Sequence, residues 1–271
     1  MSDPSRNAFL RGLGREAFKL LAPHLTRVQL SLGEVLYRPD DRMRHVYFPE
    51  DCLLSVLTTD TDGATVETSM VGAEGALGLL EACGDGRTAT TTLVQVDGFA
   101  YRAPAAICRE LVLSNADFSA HAWTLAQQQM GESRQSGMCQ ALHSVEPRLA
   151  RWLLESLERS GGRNPMPLTQ DFIASMLGVQ RTTVTGFATR LQQAGLIAYS
   201  RGRVELLDVA GLERRACDCR GVIKAERERL GLQTPASEHS GELGTGSMPT
   251  SVAPDHLRRS DRQQGSHDRP S

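Results

Sequence analysis

The chain's densest recognition chemistry lies in two short segments, Gln180-Arg181-Thr182-Thr183-Val184-Thr185-Gly186 and Ser200-Arg201-Gly202-Arg203. An arginine fork donates two parallel hydrogen bonds to a planar pair of acceptors, which on guanine are O6 and N7. Glutamine makes the equivalent pair with adenine, and a threonine methyl suits the methyl of thymine. Gln180, Arg181, Thr182, Thr183 and Thr185 are therefore candidates for reading base edges, with Gly186 on the same stretch. Thr169, Arg190, Arg201 and Arg203 suit phosphate oxygens, contacts that position a protein without specifying sequence. An exposed arginine is by default only solvated, so its meaning depends on the element that presents it.

That element is legible between Gln170 and Thr189. Thr169 is an N-cap by type. Ala174 is small where a second helix would pass closest, and Gly178 stands where a helix ends most easily in the left-handed conformation. Ile173, Leu177, Val179, Val184 and Phe187 then point inward from both sides of the turn. Two short helices crossing steeply in this way predict a helix-turn-helix, whose second helix enters the DNA major groove. Leu196–Tyr199 and Val204–Leu207 predict a two-stranded wing around Arg201-Gly202-Arg203. Many helical hairpins carry alanine and glycine, but here a basic hairpin follows directly.

Charge divides the chain in a way that its net value of −2 hides. Residues 163–203 hold five arginines against Asp171 alone, a balance of +4. Residues 31–80 hold nine acids against Arg38, Arg42 and Arg44, a balance of −6. A basic module joined to an acidic one suits a polyanion binder with a domain that stays off DNA. No apolar run approaches membrane-spanning length, and the N-terminus lacks a signal-peptide core, so no membrane partner and a cytoplasmic location are expected. Six scattered cysteines do not make a disulfide framework.

The chain reads as α+β. Residues 1–25 form an N-terminal helical region, with one helix over 8–22 through Phe9, Leu13, Phe18 and Leu21, ended by Pro23. Residues 26–113 carry short strands rich in Val, Thr and aromatics, separated by glycines and acids, and close with a short helix. That pattern predicts a β-roll, jelly-roll-like or double-stranded β-helix in kind. Residues 114–143 predict one long helix with a partial stripe of Phe118, Ala122, Leu125, Met130, Ser133 and Gly137, which either stays solvated or buries its spare face against a symmetry mate. Residues 144–220 hold the winged helix-turn-helix, opening at Ser144 as N-cap with Leu149, Trp152, Leu153 and Leu157 on one face. Residues 232–271 are too polar to bury a core and predict a disordered tail.

A β-roll, a long connecting helix and a C-terminal winged helix-turn-helix, in that order, resemble the Crp/Fnr family of bacterial transcription regulators. The resemblance covers roughly Leu20 to Cys219. Its best local matches are Glu74-Gly75-Ala76-Leu77-Gly78-Leu79-Leu80 with Arg87-Thr88, and the segment Leu168 to Gly202. It implies an effector domain that binds a small ligand or carries a sensing group, a dimer formed through the long helix, and a palindromic double-stranded DNA site near a promoter, with RNA polymerase as a further partner. Arg181 matches the family's first base-reading arginine. The family's glutamate and second arginine, one and five residues later, are here Thr182 and Gly186, so the TGTGA half-site does not carry over. The alternative is a ligand- or partner-binding module whose helix-turn-helix makes protein contacts.

The effector candidates implied by the resemblance are Glu74, Gly75, Ala76, Leu77, Gly78, Arg87 and Thr88. Members that bind cyclic AMP place a glutamate where this chain has Ala76, and losing that acceptor leaves the sugar hydroxyls unpaired at about 1–3 kcal/mol each. Glu74 keeps the same strand facing but is displaced by about 6–7 Å, so an effector other than cyclic AMP is expected. No cysteine precedes Cys52, which excludes the family's N-terminal iron–sulfur cluster. Cys217-Asp218-Cys219 could be half of a metal site, yet His239 and His256 fall in the tail and the sequence shows no second pair nearby. No catalytic motif, no cofactor and no metal are expected.

Overall fold

The computed structural model describes residues 6–232. Two short helices open it, α1 (Ala8–Gly12) and α2 (Arg15–Leu21), in place of the single helix expected over this stretch. The chain breaks at Leu13-Gly14 because both neighbouring glycines lie hard against another element. A Cβ on Gly14 would strike the Asp117 carboxylate, and one on Gly12 the His121 ring. Phe9 stacks on Phe48 and meets Phe118 edge to face in the core beneath them.

Seven strands follow: β1 (Thr26–Leu30), β2 (Val35–Tyr37), β3 (His45–Pro49), β4 (Leu53–Thr59), β5 (Thr65–Val71), β6 (Thr91–Val96) and β7 (Gly98–Pro104). They pair antiparallel as two sheets, β1-β7-β3 and β2-β6-β4-β5, which face each other as a roll. Their alternating apolar residues, including Leu30, Val46, Phe48, Leu54, Val94 and Ala100, fill the space between. Helix α3 (Leu79–Cys83) interrupts the strands, and α4 (Ala105–Ser114) leads out of them.

Helix α5 (Ala116–Leu142) starts at Asn115, whose side chain accepts from the Phe118 amide. The apolar stripe read from the sequence splits between two faces. Phe118, Ala122 and Leu125 pack inward with Gln128, Glu132 and Cys139, whereas Met130, Ser133 and Gly137 face out. Trp123, Met130, Met138 and Leu142 are exposed large apolar residues along this helix.

Helix α6 (Val145–Arg159), α7 (Gln170–Leu177), α8 (Arg181–Gln193), the hairpin β8 (Ile197–Ser200) with β9 (Arg203–Leu206), and α9 (Val209–Arg215) build the C-terminal unit. Ser144 precedes α6 but makes no side-chain capping bond. Helix α10 (Cys219–Arg229), absent from the sequence reading, returns along α5 and brings Leu232 into the roll's core. Leu232, the first residue of the expected tail, is buried, and residues 233–271 lie outside the described residues with His239 and His256.

The acidic and basic regions do not stand apart as two modules. Leu53, Leu57, Met70, Leu93 and Val96 of the roll share one apolar cluster with Leu149, Trp152, Leu153, Ile173 and Leu177 of the C-terminal unit. Helix α6 is buried nearly all round for this reason.

Candidate nucleic-acid interface and the filled roll turn

Thr169 caps α7, its hydroxyl accepting from the Phe172 amide at 3.1 Å. Gly178 ends the helix at φ 64°, and its amide returns to Ala174 and Ser175. Only a glycine fits easily here, since a Cβ would also approach Val66 Cγ2 of the roll at 3.3 Å. Ile173, Ala174, Leu177, Val184, Ala188 and Leu191 close the angle between α7 and α8, with Phe187 half-buried at its edge.

This packing turns the other face of α8 outward. Gln180, Arg181, Thr182, Thr185, Gly186, Thr189 and Arg190 are exposed, while Thr183 is half-buried. The hydroxyl of Thr185 donates within 2.6 Å of Gln170 Oε1, so it is shared with α7. Arg181 lies 3.3 Å from the Asp171 carboxylate with both side chains largely in water, a pairing worth well under about 1 kcal/mol and easily exchanged. The wing turns on Arg201 at φ 49° and Gly202 at φ 73°, a two-residue connection with both centres left-handed. It leaves Arg201 and Arg203 exposed at its tip, and Gly202 packs on the Thr169 methyl.

Three of the five arginines in the basic stretch already have acidic partners. Arg163 reaches Asp97 of the roll at 2.8 Å, Arg190 reaches Glu146 at 3.3 Å and lies over the Phe187 ring, and Arg181 pairs as above. Arg190 also sits near the C-terminal end of α8, about 13 Å along its axis from Arg181.

The roll's candidate effector turn is built differently. Gly72 to Gly78 links β5 to α3, and Glu74, Gly75, Ala76, Leu77 and Gly78 are all buried. The space around it is taken by protein. Asn7 donates to the Gly75 and Pro49 carbonyls, Gln129 donates to the Ala76 carbonyl, and Leu77 pairs with Tyr47. Gly78 is left-handed at φ 86°, with Met43 close to where a side chain would stand. Arg87 is aimed away, donating to the Asp40 carbonyl at 2.6 Å, and the Thr88 hydroxyl lies 3.0 Å from that of Thr90.

Glu74, the candidate acceptor, is committed elsewhere. It is 1% exposed, accepts from the Gly72 amide, and receives Arg159 Nη1 at 2.9 Å. Arg159 also donates to the Met70 carbonyl at 2.6 Å and to Glu132 of α5 at 3.0 Å. Burial alone would lower this guanidinium's pKa, but Glu132 and Glu74 more than offset it and hold the charge. Glu74 thus latches the roll to α6, a role that depends on Arg159 arriving from 85 residues away.

Beside this latch, Trp152 Nε1 donates to Glu67 Oε1 at 2.7 Å. Ser55 Oγ stands 2.6 Å from both Glu67 Oε2 and Gln95 Oε1. A hydroxyl owns one proton, so a protonated Glu67 donating to Ser55 satisfies both contacts. Burial raises the Glu67 pKa to about 7, in keeping with that arrangement. Sequence reasoning gave no sign of Glu67 or Arg159, because each looks like an ordinary surface charge until its partners are known.

The C-x-C pair also gains neighbours. Cys139 and His143, at the end of α5, meet Cys217 and Cys219, and their ligand atoms all lie within 4.8 Å of one another. The sequence reading found no such second pair.

Comparison with known proteins defines the class. Residues 147–215 match the Crp-like helix-turn-helix domain. A Crp/Fnr-family transcriptional regulator from Eubacterium rectale superposes with a TM-score of 0.61 at 20% identity, covering 75% of this chain and 95% of that one. FixK2 from Bradyrhizobium japonicum gives 0.61 at 15% identity, over 71% and 98% of the two chains. CLP, a c-di-GMP responsive global regulator from Xanthomonas campestris, gives 0.57 at 13% identity, over 71% and 99%. No curated protein sequence matches the chain. Residues 147–215 are thus a Crp-like helix-turn-helix domain, and the chain shares the fold of Crp/Fnr-family regulators.

Proposed function

We propose that the protein is a dimeric transcription regulator that reads a palindromic promoter site through α8, and that its roll answers to a signal other than cyclic AMP. The observation that carries this reading is the outward face of α8, where Gln180, Arg181, Thr182 and Gly186 stand exposed beside an arginine-tipped wing. Arg181 reads guanine, Gln180 or the threonines read neighbouring pairs, and Arg201 and Arg203 hold phosphates. The hydroxyl of Thr169 already caps α7, which leaves its position at the helix N-terminus as its contribution.

The exposed apolar face of α5, through Trp123, Met130, Met138 and Leu142, suits a second copy of the same helix. Two copies of α8 would then be set for successive major grooves. Ala76 in place of a glutamate, a committed Glu74 and an Arg87 turned toward Asp40 all speak against a cyclic-nucleotide phosphate and ribose in the roll turn.

Selection of bound fragments from genomic DNA tests the reading. The wild type should enrich one palindrome, and Arg181→Ala should lose it by about 10- to 100-fold in affinity while remaining a dimer. Equal affinity of the two proteins for every member of a randomised pool would reject base reading and leave a protein-binding module.

A further inference from the structure

The chain places three thiols and one imidazole together at the joint between its two halves. Cys139 and His143 are four residues apart, on one face of the last turn of α5 and its cap. Cys217, 78 residues after Cys139, lies in the connection between α9 and α10, and Cys219 opens α10. Cys139 Sγ lies 3.5 Å from Cys217 Sγ, and Cys219 Sγ lies 3.3 Å from His143 Nδ1. We propose that Cys139, His143, Cys217 and Cys219 bind a single tetrahedral divalent ion of the zinc class, clasping the end of the long helix to the segment beyond the winged domain.

The distances carry the assignment. With zinc–sulfur and zinc–nitrogen bonds of about 2.3 and 2.0–2.1 Å, a tetrahedron has ligand–ligand edges of about 3.8 Å between sulfurs and about 3.5 Å between sulfur and nitrogen. The four atoms already sit near that scale, all within 4.8 Å of one another. Three sulfurs and a nitrogen are a closed structural set, with no position left for substrate. A lone Cys139–Cys217 disulfide would account for two of the four groups and leave Cys219 and His143 paired with nothing that explains them.

The surroundings suit such a centre. Cys139 and Cys219 are buried, and Cys217 and His143 half-buried, which limits the access of water to the site. Three thiolates with a dication carry one net negative charge, and the Arg148 and Arg151 guanidiniums both act electrostatically on Cys139 and Cys217. Binding of a cation would displace the three thiol protons to solvent. Arg148 also donates to the Leu177 carbonyl at 2.7 Å, directly before the turn that sets the angle of α8. The clasp therefore spans the α5–α6 joint and touches the support of the recognition helix.

The test uses the full chain, reduced and stripped with chelator, and needs no DNA. Cobalt(II) should give the visible absorption of a tetrahedral thiolate centre, saturating at one equivalent per chain and bleached by zinc. Cys139→Ser and Cys217→Ser should abolish it, His143→Cys should keep it as an all-sulfur site, and Cys83→Ser, outside the cluster, should leave it unchanged. At zinc about ten times its Kd, protease cleavage at the His143-Ser144 joint should slow about tenfold. Should a serine variant fail to fold by circular dichroism, the wild type, His143→Cys and Cys83→Ser still decide the matter. No tetrahedral absorption in the reduced wild type, cobalt binding undiminished in both folded serine variants, or cleavage indifferent to zinc would each overturn the clasp. None of these readouts depends on operator binding, so failure here is separable from failure of the regulator reading.

Discussion

The face of α8 and the turn from Gly72 to Gly78 both follow a family pattern, and folding treats them in opposite ways. On α8 the patterned residues stay in water, paired loosely if at all: Arg181 meets Asp171 at 3.3 Å with both side chains more than half exposed. In the roll the glycines keep their places, but Asn7, Gln129, Tyr47 and Arg159 have used the groups that a ligand would need. A motif signals a backbone path in both regions. It signals an available binding surface only where the neighbouring side chains remain uncommitted.

Breaking the committed side should cost the most. Arg159→Ala leaves Glu74 and Glu132 buried without their shared cation, and a loss of about 3–5 kcal/mol in unfolding free energy is expected from denaturant titration. A change below about 1 kcal/mol would show that the roll and α6 are not held together by this latch. Next comes Glu67, with its pKa raised to about 7. The folded state binds this proton more tightly than the unfolded chain, so its contribution is complete below the ordinary carboxylate range and is lost as pH rises toward about 7. Melts of Glu67→Gln against wild type from pH 5 to 8 should remove a pH-dependent loss of at most about 3 kcal/mol, while Gln keeps an acceptor for Trp152 and a donor for Ser55. Parallel pH profiles for the two proteins would contradict a neutral Glu67. The smallest effect belongs to the exposed side. Arg203→Ala should leave the melting temperature unchanged, weaken binding to all DNA sequences alike, and reduce the salt slope by about one. Selective loss on one sequence would make Arg203 a base reader instead.

Much of the fold was written in local pattern. The helix-turn-helix could be read from Thr169, Gly178 and the inward apolar positions because capping and turn geometry depend on residues a few places apart. The roll's strands could be read from alternation and from their glycine turns for the same reason. The break at Leu13-Gly14 was missed because its cause is contact with Asp117 and His121, a hundred residues on. Helix α10 was missed because it buries only Cys219, Ile223 and Arg227, too few for an apolar stripe, and Arg227 takes its place from Glu132 and Glu158.

Sequence alone determined the order of parts, the presenting helix and, apart from half-buried Thr183, its exposed residues, since these follow from short-range periodicity and side-chain type. Tertiary structure decided which charges are free. Arg159, Glu74, Glu67 and the four groups around Cys139 acquire their chemistry from partners far along the chain, and a charge or thiol takes its energy from whatever the fold sets within a few ångströms of it.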